Sequence, residues 1–256
     1  MSTESDYLLT QIRAQDDRLK AMETRAVRPV LFGDYAAYCY GLPGLRLIWP
    51  LSSVSAGTNP ADFSGQGRSA TNNGALVLSL TAQYAPYMDC NGTTQYLSRA
   101  DEAGLDITDS LTMFCWVYFD VVQASILQKS AGAGVRGYQI FTSVGGQLTG
   151  QVSSDGTATT NVNSGADVVS TGRWYFLAHR FTPSTELAIW INRTKYTNTT
   201  SIPAAQVNNN QPLAYGARSD ATGFLNGRIG LMGLYNYAIP TLLLNQAYEM
   251  GRALYS

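Results

Sequence analysis

From Leu45 onward the chain is divided into short runs in which apolar residues recur at every second position, separated by turns rich in Gly, Asn, Ser and Asp. Successive side chains leave a β-strand on opposite sides, so this alternation is what a strand needs to bury one face. In SLTMFCWVYFD, Ser110–Asp120, it places Leu111, Met113, Cys115, Val117 and Phe119 together. In GRWYFLAHRFTPSTELAIWIN, Gly172–Asn192, Leu177, His179 and Phe181 share a face, Pro183 begins a turn, and Leu187, Ile189 and Ile191 continue that face on the return strand. GYQIFTSVGGQLTGQVSSDGT predicts a hairpin turning at Gly145-Gly146, followed by a second turn at Asp155-Gly156. Many short strands with turn signals at this spacing predict an all-β sandwich of two antiparallel sheets. The last segment, TLLLNQAYEMGRALY after Pro240, is amphipathic and predicts one closing helix.

Residues 1–28 are of another kind. They are dense in charge and contain no glycine or proline before Pro29, a pattern that predicts a helix capped by Ser2, Thr3 or Ser5. Ile12, Leu19 and Ala26 take heptad position a, and Leu8, Gln15 and Met22 take position d. A helix this polar is not stable alone in water. Its narrow seam either packs on the body of the same chain or pairs with copies of itself as a short coiled coil through Leu8, Ile12, Leu19 and Met22. The chain therefore divides into a heptad helix at 1–28, a Tyr- and Gly-rich connector at 29–44, and a β-domain at 45–256.

Composition excludes several partners. Charged residues are 14% of the chain, against about 25% in ordinary soluble domains, and the net charge is −1. Neither favours nucleic acid or an anionic membrane surface. No apolar run approaches the ~18 residues of a membrane span, so no insertion is expected, and MSTESDYLL lacks the basic and apolar regions of a secretory signal. Cys39, Cys90 and Cys115, odd in number and widely spaced, predict buried free thiols rather than a disulfide framework or a zinc site.

Several motifs follow in a fixed order: LRLIWPLSS at Leu45–Ser53, ADFSGQGRSATNNGALV at Ala61–Val77, MDCNGTTQYLS at Met88–Ser98, Leu105–Val117, Trp174–Phe181, Leu187–Arg193, and FLNGRIGLMGLYNYAIP at Phe224–Pro240. Together they resemble the laminin-G/pentraxin-like branch of the concanavalin A-like lectin/glucanase superfamily, over residues 45–255. The resemblance implies a two-sheet antiparallel jelly roll and does not imply a reaction, because binding, structural and hydrolytic proteins share that fold. Gly230 stands where the branch usually has an acid, which weakens any inherited calcium site. Arg193 replaces the usual turn glycine, leaving Asn192 to adopt the left-handed conformation.

Glycoside hydrolysis needs two carboxylates flanking the bond, and no strand carries acids at alternating positions; Glu186 and Glu249 are the only glutamates after Glu102. His179, the sole histidine, lies on a core register. No enzyme is expected and no cofactor is required. Calcium is left open, with Asp62, Asp89, Asp109, Asp120, Asp155 and Asp220 near strand ends and the loops Ala61–Gly65 and Ser219–Gly223 as the places to look. The faces opposite the core carry Phe114, Trp116, Tyr118, Phe176 and Trp190, an aromatic set that asks for a cover. Own loops or the connector, a protein interface, and a platform for glycans each satisfy that demand; the expectation taken is an outward contact surface.

A lectin-like sandwich, a heptad helix ahead of it and no export signal lead to one functional expectation. The chain is read as a non-enzymatic bacteriophage virion protein, a head fibre, decoration or tail component, that displays a jelly roll for assembly or attachment to host-surface glycans. The alternative is a carbohydrate-binding lectin module with no virion role. The β-branched residue at a with leucine at d favours a dimer; a trimer is expected instead because phage appendages of this build are usually trimeric. Other virion proteins complete the expected partners.

Overall fold

Strand β6, Leu111–Phe119, is buried along almost its whole length and lies in the middle of the larger sheet. The structure is a computed structural model that describes residues 31–52, 59–80 and 85–255. The heptad helix expected at residues 1–28, with its seam at Leu8, Ile12, Leu19 and Met22, falls outside the described residues. Beside β6 run β11, Trp174–Thr182, and β15, Asn226–Tyr235, both antiparallel to it. β11 pairs outward with β12, Glu186–Ile191, and β12 with β13, Thr194–Asn198. The first part of β15 pairs with β4, Tyr87–Asn91, and its second part with β1, Leu45–Trp49. With β3, Leu78–Ser79, added to β4, this makes a sheet of eight strands.

The second sheet has seven strands in the order β10–β9–β8–β7–β14–β5–β2, here Thr159–Asn163, Leu148–Ser153, Gln139–Thr142, Ala124–Gln128, Leu213–Tyr215, Tyr96–Arg99 and Thr71–Asn73. Every recorded pairing is antiparallel, and the two sheets form the sandwich that alternation predicts. Leu111, Met113, Cys115, Val117 and Phe119 meet Leu177, Phe181, Leu187, Ile189 and Ile191, and the second sheet supplies Leu127, Ile140, Leu148, Val152, Leu213 and Tyr215. Removing that apolar area from water drives the two sheets together. The hairpin turns at 143–147, and Asn192 adopts φ 57°, as its sequence context requires.

Two helices lie on the outer side of the eight-stranded sheet. Helix α1, Phe32–Tyr40, occupies most of the segment expected to be a connector, and buries Tyr35 and Cys39 one turn apart. Helix α2, Thr241–Tyr255, is the expected closing helix; Leu244, Ala247, Gly251 and Tyr255 recur at helical spacing on its buried stripe. The helices touch through Tyr38, whose hydroxyl donates to the Leu243 carbonyl at 2.9 Å. All three cysteines are buried free thiols, and burial pushes each thiol well above its ordinary pKa.

Candidate functional site

The aromatic set expected to form an outward contact surface is instead roofed by the chain's own helices and cationic side chains. Trp116 is buried under α2, with its ring 4.7 Å from Tyr255 and 6.0 Å from Tyr248, and its indole N–H donates to the Tyr35 hydroxyl of α1 at 2.8 Å. Phe114 lies between Phe176 at 5.3 Å and Tyr235 at 5.4 Å, all three buried. Trp190 is buried beside the Arg180 guanidinium, 4.9 Å from its ring, and the Lys195 ammonium at 5.5 Å, both held by Glu186. Tyr118 alone is half-buried, beneath the Arg228 guanidinium at 4.4 Å. Each ring thus gains its cover from within the chain, and Phe114, Trp116, Phe176 and Trp190 present no face to a ligand. Burial raises the Tyr35 hydroxyl well above its ordinary pKa, so it stays protonated and can accept the indole N–H while donating elsewhere.

The outer face of the seven-stranded sheet is different, for no helix covers it among the described residues. Cross-strand register aligns Gln128 of β7 with Gln139 of β8, Gln139 with Gln151 of β9, and Gln151 with Asn161 of β10. Paired residues point to the same side, so four carboxamides stand in a row across the sheet. The Gln139 amide donates to Gln151, Gln151 donates to the Asn161 side-chain oxygen at 2.7 Å, and Gln128 donates to the Ala217 carbonyl at 3.1 Å. These bonds fix each amide before a ligand arrives, and preorganised polar groups bind without a large ordering cost.

Over the Gln128–Gln139–Gln151 part of this row lies a depression of about 390 Å³, lined also by Ser125, Arg136, Phe141 and Arg218. Phe141 is half-buried and offers a ring at the pocket wall. A smaller depression of about 160 Å³ shares Ser125 and Phe141 and continues the cleft past that ring to Thr142 and Gly223. Pockets of this size hold small ligands, with hydrophobic contact from a ring and orientation from a few fixed polar groups. None of the lining residues is a carboxylate, so an acid–base pair is absent from it among the described residues.

The candidate calcium loops have other uses for their acids. Asp62 accepts from the backbone N–H of Ile48 at 3.1 Å and of Ser64 and Arg68 at 2.9 Å, and so organises its own loop. Asp155 accepts from the N–H of Thr157 and Ala158, both at 2.7 Å, which holds its carboxyl below the usual range. Asp220 pairs with Thr222 at 2.7 Å and Arg218 at 3.3 Å, and Asp89 with Arg228 at 3.2 Å. Among the described residues no group of three or more acidic, His or Cys side chains converges as a metal site. No helix among them is long and apolar enough to cross a membrane.

A family profile described as the concanavalin A-like lectin/glucanases superfamily matches residues 91–241, more than half of the chain. The chain belongs to that superfamily. Within it, the glycine at position 230 has a local cause. A Cβ there would lie 2.6 Å from the ring of Tyr255, and one on Gly251 would lie 2.7 Å from the ring of Trp116. The roof of aromatic rings therefore excludes a side chain at 230, an acid included, and likewise at 251. No curated protein matches this member of the superfamily.

Solved structures of the same fold include the binding domain of botulinum neurotoxin serotype G, with TM-score 0.63 and 9% identity over 80% of this chain. They include the binding domain of paraclostridial mosquitocidal protein 1, with TM-score 0.61 and 12% identity over 82% of this chain. The botulinum neurotoxin serotype D ligand-binding domain, in complex with N-acetylneuraminic acid, is similar with TM-score 0.61 and 10% identity over 84% of this chain. This member of the superfamily spans about half the length of each, covering 51%, 52% and 52% of them respectively.

The carboxamide row was not legible as a site. In the sequence Gln128, Gln139, Gln151 and Asn161 are ordinary outward polar residues on four separate strands. Only strand order and register bring them together.

Proposed function

We propose that this jelly roll binds saccharides without cleaving them, through the open face of the seven-stranded sheet. The observation that carries it is the row of fixed carboxamides beside the Phe141 ring. Sugars present hydroxyls that both donate and accept, which carboxamides match, and apolar C–H faces that pack on an aromatic ring. A pocket wall without a carboxylate supports binding over hydrolysis. The fold shared with a domain solved in complex with N-acetylneuraminic acid adds support from analogy. The test is saccharide binding by the full chain and by Phe141→Ala. Loss of roughly tenfold or more in affinity with unchanged thermal unfolding is expected; a panel of neutral and acidic oligosaccharides that yields no binder would overturn the proposal.

The finer reading places this module on a virion, as a head fibre, decoration or tail component, oligomerised by residues 1–28. It draws support from the heptad pattern at Leu8, Ile12, Leu19 and Met22. An apolar groove of about 490 Å³, between α1 and β1 and lined by Phe32, Ala36, Tyr40, Ile48, Pro50 and Phe63, offers a surface for assembly contacts. Light scattering of the Ile12→Asp/Leu19→Asp variant should show a smaller particle than the parent. An unchanged mass overturns the seam.

A further inference from the structure

We infer that the saccharide taken by this cleft carries a carboxylate, as a uronic or sialic acid does, and that Arg136 and Arg218 receive it. This rests on the saccharide-binding proposal for the same cleft.

Among the described residues, Arg136 and Arg218 are the charged ones that line the depression. Arg136 is half-buried, and its guanidinium donates to the Thr157 carbonyl at 2.7 Å, a neutral partner that positions the group without neutralising it. Among the described residues no carboxylate pairs with Arg136. Arg218 pairs with Asp220 at 3.3 Å, but both side chains are more than a third exposed, and exposed ion pairs of this kind hold weakly. A ligand carboxylate can take the place of Asp220 without a large loss.

The cleft therefore carries two guanidiniums and no carboxylate in its lining, in a chain whose net charge is −1. Guanidinium groups bind carboxylates through parallel N–H donors, a geometry that neutral hydroxyls do not reward. The row from Gln139 to Asn161 is neutral, and so is the continuation past Phe141 through Ser125 and Thr142. Two guanidiniums among neutral donors fit an oligosaccharide that places an acidic residue in the larger depression and an uncharged residue, or an uncharged edge of the next ring, against Phe141.

The test uses the full chain and five immobilised probes: trigalacturonic acid, its methyl ester, sialyllactose, lactose and a sulfated disaccharide. The ester keeps the ring and removes the charge. The carboxylated probes should bind at least about tenfold more tightly than the ester or lactose. Arg136→Gln should weaken binding of the acid about 10- to 100-fold, the loss expected when one charge-assisted hydrogen bond is removed, and leave the ester unchanged. Arg218→Gln, at a more exposed site, serves where Arg136→Gln fails to fold. Equal binding of acid and ester, or an Arg136→Gln loss of the same size for both, overturns the assignment and leaves saccharide binding standing. Retention of the sulfated probe alone also overturns it. Absence of binding to every probe, lactose included, removes the saccharide proposal itself.

Discussion

His179 makes the stability of this domain depend on pH below about 6.5. The ring is buried on β11, and a Cβ on Gly150 of the facing sheet would come within 2.4 Å of its Nδ1, so the imidazole fills the space that Gly150 leaves. Neither ring nitrogen completes a hydrogen bond. Burial drives its pKa from 6.5 down to about 3, with the nearby Ala188 backbone opposing the shift only in part. The unfolded chain thus takes up a proton below about pH 6.5 that the folded chain refuses until about pH 3. Stability from this group is complete above the unfolded pKa and is lost as pH falls towards the folded one, about 1.4 kcal/mol per unit and about 5 kcal/mol in all. Urea unfolding of the parent and of His179→Leu at pH 7.5 and pH 4.5 isolates the contribution of the imidazole, since the two proteins share every other titrating group. The parent should lose about 3 kcal/mol more than the variant over that interval. At pH 7.5 the leucine variant should be no less stable, because it removes two unpartnered nitrogens from the core. Parallel losses in the two proteins would refute a histidine held neutral by burial.

Two further outcomes test the aromatic roof. Trp116→Ala should cost about 3–5 kcal/mol of stability and leave saccharide binding unchanged, by chemical unfolding and titration of the same sample; lost binding in a stable protein would mean that the indole reaches a ligand after all. Gly230→Asp should destabilise by at least about 3 kcal/mol, because its side chain collides with Tyr255 and buries an unpaired charge. Adding Tyr255→Ala should recover part of that loss, and full independence of the two changes would count against the steric account.

Alternation in Leu111–Phe119 and Leu177–Ile191 identifies the core faces, because burying one side of a strand leaves a signal of period two in the residues themselves. It says nothing of what lies beyond the other side. Phe114, Trp116 and Trp190 read equally well as a contact surface or as the floor beneath a cover. The amphipathic pattern of Thr241–Tyr255 carries the missing half, since a helix with Ala247, Gly251 and Tyr255 on one stripe needs a floor of large rings. Helix α1 is harder to see: its Tyr35 and Cys39 recur at helical spacing, but the segment is only nine residues long, with Gly33 inside its first turn and Gly41 directly after it. The saccharide cleft leaves no local trace, because its parts come from strands whose adjacency is a property of topology.

The placement of β15 sets the order in which the domain can be completed. Residues 226–235 lie between β6 on one side and β4 and β1 on the other, so the middle of the eight-stranded sheet is contributed by the last of the described strands to be synthesised. Until Tyr235 has left the ribosome, β4 and β6 carry bare edges able to pair with any passing strand. Pairings this distant in sequence close slowly, and the waiting chain is the form most exposed to aggregation. Helix α2 follows β15 directly, so the strand that joins the halves of the sheet is succeeded at once by the segment that covers its aromatic rings.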